Sequence, residues 1–399
     1  MEKSSVRDLS GGVNQSGVRA HNERLMLSIL QRHGPLPGSE IAKRTGLSPQ
    51  TASVILRKLE SDGLLTRGES VKGKVGKPSV PMDINPSGLF SYGLKIGRRS
   101  ADLLLMDFKG KIQKQQVLRY AYPMPDTVFT FLQDGIKAIE RGFDPLHRAR
   151  ICGIGIATPF ELWNWHELVG APAGDFLTWK STDFAEEVGR FSDLPVFVVN
   201  DATAACRAEH MFGHGKGFRD YAYFFLGAFV GGGVALNHSV FEGHQGNAGA
   251  LGSLPSLGRD GSRKQLLDTA SIHILETELA KAGLDPRLLW QQPQDWSALS
   301  RLVDPWVERS AEALAEASLA AYAVIDFEAI LIDGAMPADV RDKLVTQARE
   351  RIQGLDSRGV ILPTIAAGHI GGNARAIGAA SGPVISQFLL NTNAAFADT

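Results

Sequence analysis

A chain of 399 residues exceeds what one hydrophobic core ordinarily supports and points to two or three domains. At 44% hydrophobic and 21% charged, with a net charge of −1, it reads as an ordinary soluble protein. No apolar run reaches the roughly 18–20 residues of a membrane span, and the two cysteines, Cys152 and Cys206, exclude a disulfide framework and a thiolate-built zinc site.

The first residues, "MEKSSVRDLSGG", lack the apolar stretch of a signal peptide, so the cytoplasm is the expected location, with no membrane partner. Charge is uneven along the chain. Residues 1–85 hold 13 Lys+Arg against 8 Asp+Glu, and the remainder holds 29 against 35. A basic front on an acidic body suggests that the front meets an anion.

Residues 1–17 show no pattern and are set apart as an arm. "VRAHNERLMLSILQRHG" places Leu25, Ile29 and Leu30 at helical spacing and ends at Gly34-Pro35. "GSEIAKRTG" predicts a short helix with Ser39 as N-cap and Gly46 as stop. "SPQTASVILRKLESDG" predicts a third helix, capped by Ser48, with Pro49 in its first turn and Gly63 at its end. Its apolar stripe is Ala52, Ile55, Leu56 and Leu59, while Gln50, Thr51, Ser53, Arg57 and Lys58 point elsewhere.

A short helix, a glycine turn and a helix with small polar and basic groups make a helix-turn-helix pattern. "LLTRGESVKGKVGKPSVPMDI" then reads as two strands around a tip, a wing made basic by Arg67, Lys72, Lys74 and Lys77. The candidate DNA contacts are Ser48, Gln50, Thr51, Ser53, Arg57 and Lys58 for base edges and phosphates, with Lys72, Lys74 and Lys77 on the wing. Residues 18–85 are read as this domain.

From residue 86 the chain says one thing twice. "FSYGLKIG", "ADLLLMDF" and "KIQKQQVLRY" predict a three-stranded meander, followed by a helix near 126–141 and the strands "ICGIGIAT" and "PVFVVN". "DYAYFFLGA", "GGGVALN" and "SVFEG" predict a second meander. Long helical stretches, "RKQLLDTASIHILETELAKAG" and "WSALSRLVDPWVERSAEALAEASLAAYAVI", precede the strand "AILIDGA". Two similar lobes, 86–200 and 201–381, around a ligand cleft are expected, with a C-terminal helix returning to the first lobe and a tail at 382–399.

In this order the chain resembles the ROK family, which groups sugar-responsive repressors with ATP-dependent sugar kinases. The resemblance runs from Val18 to Ala380. It rests on "HNERLMLSIL", "LSPQTASVILRKLESDGLL", "GKPSVPMDINPSG", "PVFVVNDATAACRAEHMFG", "FVGGGVALN", "GNAGALG" and "AILIDGA". It implies an α+β and α/β fold class: a winged helix-turn-helix followed by a two-lobe, ribonuclease-H-like, actin-like domain.

The departures from the family pattern matter most. Where kinases carry an Asp-x-Gly-Gly-Thr turn for phosphate and magnesium, this chain has Lys95, Arg98 and Arg99, and a lysine cannot coordinate Mg²⁺. Ala228 and Phe229 replace the second phosphate loop, and the glycine run after them reads better as a hairpin turn needing positive φ. In the family a Glu and a His hold the sugar, and the His joins three cysteines on zinc. Here Ala250 and Ser253 stand at those positions, and Asp268 alone ligates nothing. The family's Pro-Gly turn is Pro159-Phe160 here.

Asn200-Asp201 does match. The resemblance implies contact with sugar hydroxyls, and in kinases the aspartate is the general base. The residues alone equally allow Asp201 to cap the following helix. Asn247 and His244 complete the candidate ligand contacts, and Trp163 and Trp165 offer indole faces to a sugar or to the core.

The sequence therefore predicts a transcriptional regulator, a repressor of carbohydrate genes without kinase activity, metal or cofactor. It would bind a near-palindromic operator in double-stranded DNA as a homodimer or homotetramer, under control of a sugar-like effector. Two alternatives stand beside it: a sugar kinase with a DNA-binding head, and an effector-independent regulator whose lobes only oligomerise or dock a protein.

Overall fold

The computed structural model describes residues 15–69, 80–257 and 261–390. It divides into two compact units. The first holds the residues up to Gly88 together with Ile385–Leu390, and the second holds Leu89–Val384. No helix among the described residues is long and apolar enough to cross a membrane.

In the first unit, α1 (Gln15–His33), α2 (Gly38–Thr45) and α3 (Pro49–Ser61) bury Met26, Leu27, Leu30, Ile41, Ile55, Leu56 and Leu59. A small antiparallel sheet has the order β1 (Leu36–Pro37), β3 (Pro81–Ile84), β2 (Leu65–Arg67). Ser48 caps α3, its hydroxyl accepting from Thr51 N at 3.1 Å, with Pro49 at the first helical position. Gly46 ends α2 at φ +69°, a left-handed turn that favours glycine.

One expected cap is corrected. The helix α2 begins at Gly38, so Ser39 lies inside its first turn, and Pro37 holds the cap position with no side-chain bond. The reason is that Pro37 is paired in β1 with Pro81, which brings the chain in as a strand one residue earlier. At the other end of the chain, Leu390 N donates to Ser28 Oγ of α1 at 2.9 Å, within this unit.

The second unit contains two five-stranded sheets with the same plan. In the first, β4 (Phe90–Ile96), β5 (Ser100–Asp107) and β6 (Ile112–Arg119) form an antiparallel meander, and β7 (Ile151–Thr158) and β8 (Val196–Asn200) join β4 in parallel. In the second, β9 (Tyr221–Leu226), β10 (Val230–Leu236) and β11 (Ser239–Phe241) repeat the meander. A short hairpin follows, β12 (Pro255–Leu257) with β13 (Arg263–Gln265), where a continuous helix was expected from Arg263. The strands β14 (Ala329–Gly334) and β15 (Thr364–Ala367) then join β9 in parallel. The two orders, β6-β5-β4-β7-β8 and β11-β10-β9-β14-β15, are the doubling that the sequence announces.

Helices cover the sheets: α4 (Pro125–Arg141), α5 (Asp201–Phe212), α6 (Ile272–Lys281), α7 (Ser300–Ile325), α8 (Ala338–Gln353) and α9 (Ala374–Phe388). The small residues Ala376, Ala379 and Ala380 of α9 lie directly on Gly93 of β4 and Gly155 of β7, where a Cβ would collide with the helix backbone. The triple glycine is explained differently than expected. Gly231, Gly232 and Gly233 lie inside β10, and none has positive φ. A Cβ at Gly231 or Gly233 would strike Ala202 or Cys206, so these two glycines serve the close approach of α5.

Candidate ligand cleft and nucleic-acid interface

On α3 the buried residues are Ala52, Ile55, Leu56 and Leu59, as the stripe predicts. Gln50, Thr51, Ser53 and Arg57 are exposed on the other side. The hydroxyls of Ser48 and Thr51 bond each other at 2.9 Å, and Arg57 Nε donates to Ser53 O at 3.2 Å. Two basic groups differ from expectation. Lys58 is half-buried, its ammonium 2.7 Å from Asp62 Oδ2 and 3.6 Å from Glu23 Oε1 on α1, so it fastens helices rather than standing free for phosphate. Arg67 is held bidentately by Glu60, at 2.7 and 2.9 Å. Lys72, Lys74 and Lys77 lie outside the described residues.

In the second unit, β8 delivers Asn200 and Asp201 to the N-terminus of α5. The cap is Asn200, whose Oδ1 accepts from Ala202 N at 2.9 Å and Thr203 N at 3.1 Å. Asp201, offered from sequence as the cap, is instead helical and accepts at Oδ2 from Arg375 Nη1 at 3.1 Å. The amide Nδ2 of Asn200 donates to Asn247 Oδ1 at 3.4 Å. These four residues border one cavity of about 470 Å³ that also includes Phe160, Trp165 and Phe229. His244 is exposed and does not line it.

Trp165 enters the cavity but is already engaged: its ring lies 5.0 Å from that of Phe229, and its Nε1 donates to Phe160 O at 3.0 Å. Trp163 packs half-buried against the core of the first sheet. Phe229 is the centre of a plug. His273 meets its edge at 5.6 Å, and the Arg98 guanidinium lies 5.7 Å from its centroid.

Arg98 also reaches across to α6. Its Nη1 donates to Glu276 Oε2 at 2.8 Å and meets His273 Nδ1 at 2.8 Å, and Trp290 Nε1 donates to Glu276 Oε1 at 2.6 Å. Arg98 belongs to the turn between β4 and β5 and Glu276 to the second lobe, so this pair ties the lobes together. Burial alone would raise the Glu276 carboxyl. Its contacts with His273 and Trp290 and the charge of Arg98 outweigh it and hold the group below the usual glutamate value.

A second cavity, of about 880 Å³, is lined by Lys95, Arg99, Arg119 and Trp290 among others. Lys95 is only 7% exposed. Its Nζ donates to Asp102 Oδ2 at 2.7 Å and Ser100 Oγ at 3.0 Å. A buried ammonium therefore sits where a magnesium-holding turn would need a carboxylate, and burial lowers its pKa. The zinc of the family pattern does not fit either. Ala250 and Ser253 carry no ligating nitrogen or thiolate, and the described residues contain no cluster of three His, Cys, Asp or Glu able to hold a metal.

Sequence reasoning missed Arg375, Glu276 and His273. Arg375 sits in "GGNARAIGAA", which reads simply as a helix start, and the other two sit in an ordinary amphipathic helix. Their partners lie 174, 178 and 175 positions away along the chain, so no local signal marked them.

Two family models match. Residues 91–270 match the ROK family, and residues 19–66 match a winged helix-turn-helix DNA-binding domain. The chain is 25% identical over 373 residues to the uncharacterized protein y4fQ of Sinorhizobium fredii, covering 92% of this chain and 91% of that protein. It is 23% identical over 334 residues to the DNA-binding transcriptional dual regulator NagC of Escherichia coli, covering 79% and 77%. Its fold is that of a solved ROK family transcriptional regulator described as a homologue of the E. coli MLC protein. There the TM-score is 0.63, with 19% identity over 92% of this chain and 96% of that one.

Proposed function

We propose that this chain, which carries a ROK family domain behind a winged helix-turn-helix, is a DNA-binding regulator of carbohydrate genes that acts in the cytoplasm. The observation that carries the proposal is the union in one chain of two features. One is the capped helix α3 with its exposed polar face, and the other is the cavity where Asn200, Asp201 and Asn247 meet. Gln50, Ser53 and Arg57 suit base edges and phosphates, with Ser48 and Thr51 at the helix N-terminus. The wing lysines Lys72, Lys74 and Lys77 supply backbone contacts.

The ligand is a sugar or sugar derivative. Asn200 and Asn247 offer amides, and Asp201 offers a carboxylate that accepts from hydroxyls. Ligand binding redistributes the lobe arrangement held by Arg98 and Glu276, and operator affinity changes with it. The protein acts as a symmetric oligomer on a near-palindromic site.

Phosphoryl transfer is not part of the proposal. Asp201 is tied to Arg375, Lys95 replaces an acid, and Phe229, packed against Trp165, stands at the second phosphate-loop position.

A thermal-shift panel of hexoses, pentoses, polyols, amino sugars and their phosphates, with and without Mg-ATP, tests this. A shift with one class, independent of Mg-ATP, is expected. Ala250 and Ser253 in place of the family's clasp favour one second reading, an effector-independent regulator, and no shift with any compound would select it.

A further inference from the structure

Val54 stands out on α3. It is 50% exposed, although the helix buries its other aliphatic residues, Ile55, Leu56 and Leu59. At 3.6 residues per turn, positions 50, 54, 57 and 61 fall on one line along the helix, opposite the buried stripe. Val54 is therefore the apolar centre of a face otherwise formed by Gln50, Ser53, Arg57 and Ser61.

A β-branched side chain gains nothing from water there. In the major groove, the apolar feature that bases present is the C5-methyl of thymine. We infer that Val54 is a specificity-determining residue that packs on a thymine methyl in each operator half-site, flanked by the hydrogen bonds of Gln50 and Arg57. This rests on the DNA-binding reading above and deepens it. The two methyls of valine are held by one stiff torsion, so the contact is positioned rather than adaptive.

The test uses the full chain. Duplexes enriched from a random-sequence library by the wild-type protein are remade with each thymine in turn replaced by uracil, which removes only the methyl. Affinities of wild type and Val54→Ala are read by fluorescence anisotropy. Burying one methyl-sized group corresponds to about a fourfold change in affinity. One thymine per half-site should therefore show about that loss on replacement with wild type and none with Val54→Ala. An exposed position leaves the core intact, and an unchanged melting temperature for the variant verifies this.

If uracil at every position affects wild type and variant alike, the inference is overturned while the DNA-binding reading stands. If the wild type enriches no sequence at all, both fall.

Discussion

The guanidinium of Arg375 lies against Asp201, with Nη1 donating to Oδ2 at 3.1 Å, and the same guanidinium sits 5.1 Å over the ring of Phe225. Both partners are mostly buried. A carboxylate held in this way still has a second oxygen and spare lone pairs with which to accept from a ligand hydroxyl.

Two outcomes follow for this pair. With Mg-ATP and any sugar of the panel, coupled ADP release should stay at background. Arg375→Gln should destabilise the protein by about 1.5–3 kcal/mol, the scale for a hydrogen bond to a charged group, as read from urea unfolding. Steady sugar-dependent ADP release from wild type would refute the non-catalytic account.

The contacts of His273, Trp290 and Arg98 with Glu276 make stability depend on acid. The folded Glu276 carboxyl lies below its ordinary value of 4.5. Its contribution is therefore complete above that pH and is lost as pH falls through the folded value. Glu276→Gln should be less stable than wild type near neutral pH, and the gap should close as pH falls below 4.5. Urea midpoints across the acid range measure this. A gap that stays constant with pH would show that the charge of Glu276 is not what stabilises the lobe contact.

Neighbouring basic residues on α3 should behave differently. Arg57→Ala should weaken operator binding by about 1–3 kcal/mol if it makes a bidentate base contact, and should relax specificity. Lys58→Ala should change DNA affinity little, since Asp62 and Glu23 already hold the ammonium. Lys74→Ala should weaken cognate and random DNA alike and reduce the salt slope by about one. Anisotropy at several salt concentrations separates the three. Equal losses from Arg57→Ala and Lys58→Ala would contradict the distinction between them.

Features set by near neighbours in sequence were legible without the structure. The Ser48 cap, Pro49, the buried stripe of α3 and the Gly46 stop all arise within a few residues. The doubled meander was legible because β4, β5 and β9 carry apolar runs and short turns join them to their neighbours. Even the Lys58–Asp62 pair has the i, i+4 spacing that would have revealed it.

What failed depended on distant partners. Ser39 reads as a cap until Pro37 is seen paired with Pro81. A glycine run reads as a turn until α5 is seen lying on it. Asp201 looks free until Arg375 arrives from the far end of the domain. The cleft residues Asn200, Asp201 and Asn247 were chosen from sequence and do lie together, whereas His244 faces outward.

The central claim is that a ligand in the cleft controls the grip on DNA. The direct measurement is the affinity of the full chain for an enriched operator duplex, by anisotropy, with each compound of the sugar panel and for wild type and Asn247→Ala. The account predicts that at least one sugar class shifts the wild-type affinity, with the ligand needed at higher concentration, or without effect, in Asn247→Ala. An operator affinity that no compound changes would contradict it.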